Sequence, residues 1–86
     1  MFNLVYSPRA QKSLRKFPTE YQLLILKKIQ ILQENPKPRG YDKIAAKNPP
    51  LYRLRIGDYR IFYFIDEETK EVIIVDIKRR TTQTYR

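Results

Sequence analysis

Between Leu51 and Ile65 large apolar side chains recur on a period of two, interrupted once by Gly57-Asp58, and a second apolar run follows from Val72 to Ile77. A period of two belongs to strands, because successive side chains leave a strand on opposite faces. A Gly-Asp pair between two such runs marks a tight turn, so residues 51–56 and 59–65 are predicted to form a β-hairpin. On the first strand Tyr52, Leu54 and Ile56 share a face opposite Arg53 and Arg55. On the second, Tyr59, Ile61, Tyr63 and Ile65 share a face, and Arg60 lies opposite with Phe62 and Phe64. Burying the aliphatic sets leaves Arg53, Arg55 and Arg60 together on an open face. Strand 72–77 is apolar on both faces apart from Asp76, which predicts a central position.

The rest of the chain supplies what covers the buried face. Phe2 to Tyr6 reads as a short strand. Ser7 can cap a helix and Pro8 suits its first turn, so a helix is expected over residues 8–17, stopped by Pro18. Thr19 is expected to cap a second helix running to about Glu34. There Tyr21, Ile25, Ile29 and Leu32 form one apolar stripe, with Leu24 and Ile31 widening it and Asn35-Pro36 ending it. Residues 36–50 hold four of the six prolines and read as a long connecting loop, with at most one turn around Lys43 to Lys47. The order β-α-α-β-β-β defines an α+β fold, a two-helix hairpin packed on one face of a small, mainly antiparallel sheet. Residues 1–86 are expected to form one domain.

Charge and missing residue types narrow the function. The net charge is +9 over 86 residues, with ten basic and three acidic side chains in residues 1–50 and eight and six in residues 51–86. Such an excess favours a polyanionic partner. There is no cysteine and no histidine. The thiolate metal site, the commonest general base and the commonest metal ligand are therefore all absent. Neither a metal nor a small-molecule cofactor is expected. No apolar run approaches the length of a membrane span, and the opening residues lack the pattern of a signal peptide. The expected location is the cytoplasm.

The run Leu51-Tyr52-Arg53-Leu54-Arg55-Ile56-Gly57-Asp58-Tyr59-Arg60-Ile61-Phe62-Tyr63 resembles the RelE branch of the RelE/ParE toxin superfamily. The likeness extends to Ser7-Pro8-Arg9-Ala10 after the first strand, to Leu32-Gln33-Glu34-Asn35-Pro36-Lys37-Pro38, and to Lys78-Arg79-Arg80 with Tyr85-Arg86. The resemblance implies a RelE-like fold and a toxin of a type II toxin–antitoxin system. It also implies an endoribonuclease that cleaves mRNA in the ribosomal A site and is silenced by a cognate antitoxin. The family's basic pair on the first hairpin strand falls on Arg53 and Arg55, and the arginine after the next strand's aromatic on Arg60. The arginine beyond the last strand falls on Arg79 and the C-terminal aromatic on Tyr85. These five are the candidate catalytic residues, and Lys78, Arg80 and Arg86 are the candidate RNA-binding residues around them.

The residue types suit that chemistry. Attack by the RNA 2′-hydroxyl builds a phosphorane with added negative charge and requires no metal. Guanidiniums can hold that charge through paired hydrogen bonds. Some family members carry lysines where this chain has Arg53 and Arg55, and arginine is a poor base because it keeps its proton. Lys78, Tyr85 or water remain as the base. Other readings stay open: Arg60 as an ion-pair partner of Asp58 or Asp76, a ParE-like inhibitor of DNA gyrase, or an inactive RNA-binding relative. Tyr52, Tyr59 and Tyr63 are expected in the core. Arg9, Lys12, Arg15, Lys16, Lys27 and Lys28 are expected on a solvated helical face.

Overall fold

The computed structural model describes residues 1–46 and 48–79. Its elements are β1 (Asn3–Tyr6), α1 (Pro8–Arg15), α2 (Thr19–Ile29), α3 (Ile31–Glu34), β2 (Tyr41–Ala45), β3 (Leu51–Ile56), β4 (Tyr59–Asp66) and β5 (Glu71–Arg79). The strands form one sheet in the order β1-β5-β4-β3-β2. β1 runs parallel to β5, and the other neighbouring pairs are antiparallel. The apolar run of β5 thus lies between two strands, as its two-sided pattern requires.

The helices cover one face. Ser7 caps α1 by accepting from the Ala10 amide at 3.1 Å, and its hydroxyl donates to the Val75 carbonyl at 2.8 Å. One side chain therefore closes the helix start and ties it to the central strand. The cap of α2 differs from expectation. Pro18 takes the capping position, its carbonyl accepting from the Tyr21 and Gln22 amides, and Thr19 is the first helical residue. The expected single helix is also broken at Gln30, where a tight turn separates α2 from α3. Ile25, Ile29 and Leu32 are fully buried, and they share the core with Leu54, Ile61, Tyr63, Val72, Ile74 and Ile77. Each aliphatic side chain buried in this way stabilises by about 1.5–3 kcal/mol. The stripe is narrower than predicted: Leu24 and Ile31 are 46% and 47% exposed, and Tyr21 stands at the margin with its ring 6.2 Å from that of Tyr59.

The expected loop over residues 36–50 contains a strand. β2 pairs antiparallel with β3, placing Tyr41 opposite Leu54, Asp42 opposite Arg53 and Lys43 opposite Tyr52, with a bulge before Ala45. As an edge strand it is exposed at nearly every position. No apolar alternation is needed there, and the sequence contains none. Tyr63 secures the segment before it, donating its phenol to the Pro36 carbonyl at 2.7 Å. As expected, Tyr52, Tyr59 and Tyr63 are buried.

Candidate phosphate-binding face

The face of the sheet away from the helices carries Arg53, Arg55, Arg60 and Lys78. Arg55 on β3 stands directly opposite Arg60 on β4, and Arg60 stands directly opposite Lys78 on β5. Three neighbouring strands thus each place a cation in one transverse row. Directly opposed side chains have Cβ atoms about 4.5–5.5 Å apart, and like charges there repel. Among the described residues none of the three has a carboxylate within ion-pair distance. Lys78 lies over the ring of Phe62, its Nζ 5.9 Å from the centroid. A hollow of about 120 Å³ opens beside the row, lined by Arg55, Gly57, Tyr59 and Arg60. That space far exceeds what a single water needs.

The acids that could have neutralised Arg60 are engaged elsewhere or lie apart. A bulge between β4 and β5 follows the Phe62–Asp76 pair, so that Tyr63 next meets Ile74. Asp76 accepts from the Ser13 hydroxyl at 2.6 Å and from the Ile77 amide at 2.8 Å, and it lies 3.6 Å from Arg9 Nε. It therefore serves α1. Arg9, expected on a solvated face, is its ionic partner while remaining largely exposed. Asp58 is exposed in the turn and forms no ion pair among the described residues.

Arg53 is placed differently from Arg55 and Arg60. It shares their face, but its guanidinium donates to Asp42 Oδ2 at 2.8 Å, and its buried Nε has no partner among the described residues. The hydrogen bond from Arg53 holds the Asp42 carboxyl below the usual carboxylate range; desolvation opposes it, and the charges of Arg53 and then Arg55 add to the lowering. Asp42 escapes a reading by sequence because the interaction exists only once β2 is paired. Arg79 stands opposite Tyr59, whose ring packs on Phe17 at 5.2 Å, so its register assigns it to the helix-bearing side of the strand end. The structure therefore brings Arg55, Arg60 and Lys78 together, ties Arg53 to Asp42, and sets Arg79 at the edge. Arg80, Tyr85 and Arg86 lie outside the described residues. Among the described residues no helix is long and apolar enough to cross a membrane.

The chain is an α+β domain with helices on one face of its sheet and, on the other, a row of cations that has no acidic partner among the described residues. The family model for the ParE toxin of type II toxin–antitoxin systems (parDE) matches residues 4–84, and the chain belongs to that family, within the RelE/ParE superfamily. It is a type II toxin with a RelE-like fold. The chain is similar to the toxin of an archaeal RelE–RelB complex from Pyrococcus horikoshii, at 28% identity and TM-score 0.78, covering 92% of this chain and 94% of that one. A RelBE toxin–antitoxin complex from Mycobacterium tuberculosis matches at 22% identity and TM-score 0.80, covering 92% and 98%. The isolated Escherichia coli RelE toxin matches at 20% identity and TM-score 0.79, covering 98% and 89%. No curated protein matches the chain significantly.

Proposed function

We propose that this toxin is an endoribonuclease that cleaves mRNA in the A site of translating ribosomes and thereby stops translation. The observation that carries the reading is the row Arg55–Arg60–Lys78, three opposed cations without an acidic partner among the described residues. A sheet tolerates such repulsion most readily when an anion completes the arrangement. In this reading the scissile phosphate lies on the row. The 2′-oxygen attacks phosphorus and the 5′-oxygen leaves, giving a 2′,3′-cyclic phosphate. Arg55 and Arg60 stabilise the added charge on the equatorial oxygens. Lys78 is the one member of the row able to give up a proton, so it or Tyr85 or a water serves as base. Arg53, held by Asp42, grips a neighbouring phosphate, and Arg79 contributes its charge from the end of β5; Tyr85, as a base-stacking aromatic, and Arg80 and Arg86, as cations, are assigned to the RNA by residue type alone. The reaction needs no metal.

Restraint by a cognate antitoxin is part of the same reading, supported by the relatives solved as toxin–antitoxin complexes. The cytoplasm is its proposed location, where translating ribosomes are found. A second reading is favoured by one finding: the matching family model describes a ParE toxin. The ParE branch of the resemblance implies inhibition of DNA gyrase without nuclease chemistry. Induced expression without an antitoxin separates the two. Cleaved mRNA mapped by primer extension, abolished by Arg60→Ala, supports the nuclease. Growth arrest with intact mRNA and loss of plasmid supercoiling supports the gyrase inhibitor.

A further inference from the structure

A second hollow adjoins the cation row on the other side of the β3–β4 turn. It encloses about 300 Å³, at the lower limit of small-molecule sites. Lys28, Arg39 and Arg55 line it together with Ile31, Leu54 and Ile56, and no acidic side chain contributes among the described residues. Arg55 and Gly57 line both hollows, so the two adjoin at the hairpin turn. The segment bearing Arg39 is built into the sheet. Tyr63 holds the Pro36 carbonyl, the Tyr41 amide donates to the Pro38 carbonyl at 3.2 Å, and the Arg55 amide donates to the Gly40 carbonyl at 3.4 Å. Gly40 has φ +96°, a conformation that keeps this segment folded against β3 and is strained for other residues. Ile31 is nearly half exposed although large and apolar, and it forms part of the hollow's wall.

We infer that this hollow is a subsite for a nucleotide flanking the scissile phosphate, an inference that rests on the RNA reading above. The RNA strand passes from the open face over Gly57 to the helix side. One of its bases packs on Ile31, Leu54 and Ile56, and its phosphate lies between Lys28 and Arg39. The wall shared at Arg55 and the wholly cationic charge of the lining favour a strand of nucleic acid over an acidic protein segment. A base needs an apolar wall, and its phosphate needs the cations.

Binding of a labelled single-stranded RNA 12-mer, followed by fluorescence anisotropy between 50 and 200 mM salt, tests this without reference to cleavage. Lys28→Ala combined with Arg39→Ala should make the slope of log K against log salt shallower by about 0.7 for each phosphate that is no longer neutralised. Lys12→Ala with Lys16→Ala, equal in charge but placed at α1, should leave the slope as in the wild type. In a series of 12-mers with one abasic position each, one position should weaken wild-type binding about fivefold, and Ile31→Ala should remove that sensitivity. Three results separate the claims. Wild-type protein that binds no RNA, or binds it equally after Arg60→Ala, overturns the RNA reading itself. RNA binding that depends on Arg60 but has the same slope in both double variants, or no sensitive abasic position, overturns only the subsite. Loss of antitoxin affinity with RNA affinity intact also overturns it, assigning the hollow to protein.

Discussion

Replacing Arg60 by glutamine should make the protein more stable. Arg60 is the centre of the cation row, with Arg55 opposite it on one side and Lys78 on the other. Glutamine keeps much of the half-buried stem and removes the charge, so both repulsions disappear with little loss of packing. Each directly opposed like-charge pair costs on the order of 0.5 kcal/mol, and the two together about 1 kcal/mol. For a domain of this length that corresponds to a rise of roughly 4–8 °C in Tm. Thermal unfolding followed by circular dichroism at 50 mM salt should show the rise. At 1 M salt, where the screening length is about 3 Å, most of it should vanish. A lower Tm for Arg60→Gln at low salt would refute the reasoning, because Arg60 would then be held by a stabilising partner. A gain in stability together with a loss of activity is expected of a charge kept for a ligand and not for the fold.

Three further outcomes are expected. Tyr63→Phe removes the donor to the Pro36 carbonyl, and urea unfolding should show a loss of about 1 kcal/mol; an unchanged midpoint would contradict the anchoring of this segment. Ser7→Ala removes both the cap of the Ala10 amide and the donation to Val75, for a loss of about 1–2 kcal/mol. Ser7→Asp, able to cap but not to donate, should recover only part of it. The pH dependence follows from two depressed carboxyls, Asp42 held down by Arg53 and Asp66 by the Thr69 and Glu68 amides. Their folded values lie below their unfolded ones, so their stabilisation is present above about pH 4 and is lost as pH falls through the folded values. With no histidine in the chain, Tm should be nearly flat from pH 5 to 8. Asp42→Asn with Asp66→Asn should flatten the acid limb, and a titration step near pH 6.5 would contradict the account.

The fold was legible where burial imposes a period. The strands at Leu51–Ile56 and Tyr59–Asp66 and the stripe Ile25, Ile29, Leu32 are written in spacing because one side of each must be apolar. β2 was not legible, since an edge strand exposed on both faces needs no alternation. The face shared by Arg53, Arg55 and Arg60 followed from parity along two strands. Lys78 joining the row did not, because the bulge past Val75 shifts β5 against β4 and no residue type announces it. The same bulge leaves Asp76 beside α1 and so decides that Arg60 has no partner there. The Asp42–Arg53 pair and the hollow at Lys28 and Arg39 join residues far apart in sequence, and only pairing and packing reveal them.

The central claim is that the row Arg55–Arg60–Lys78 holds the phosphate at which mRNA is cut. Single-turnover cleavage of mRNA on programmed ribosomes, with purified wild-type and Arg60→Ala proteins both shown to be folded by circular dichroism, tests it most directly. The account predicts cleavage by the wild type, ending in a 2′,3′-cyclic phosphate, and a rate on the order of 10² to 10³ lower for the variant, the usual cost of removing one charge-stabilising donor. Cleavage at the wild-type rate by Arg60→Ala, or no cleavage by the wild type while supercoiling by gyrase is blocked, would contradict it.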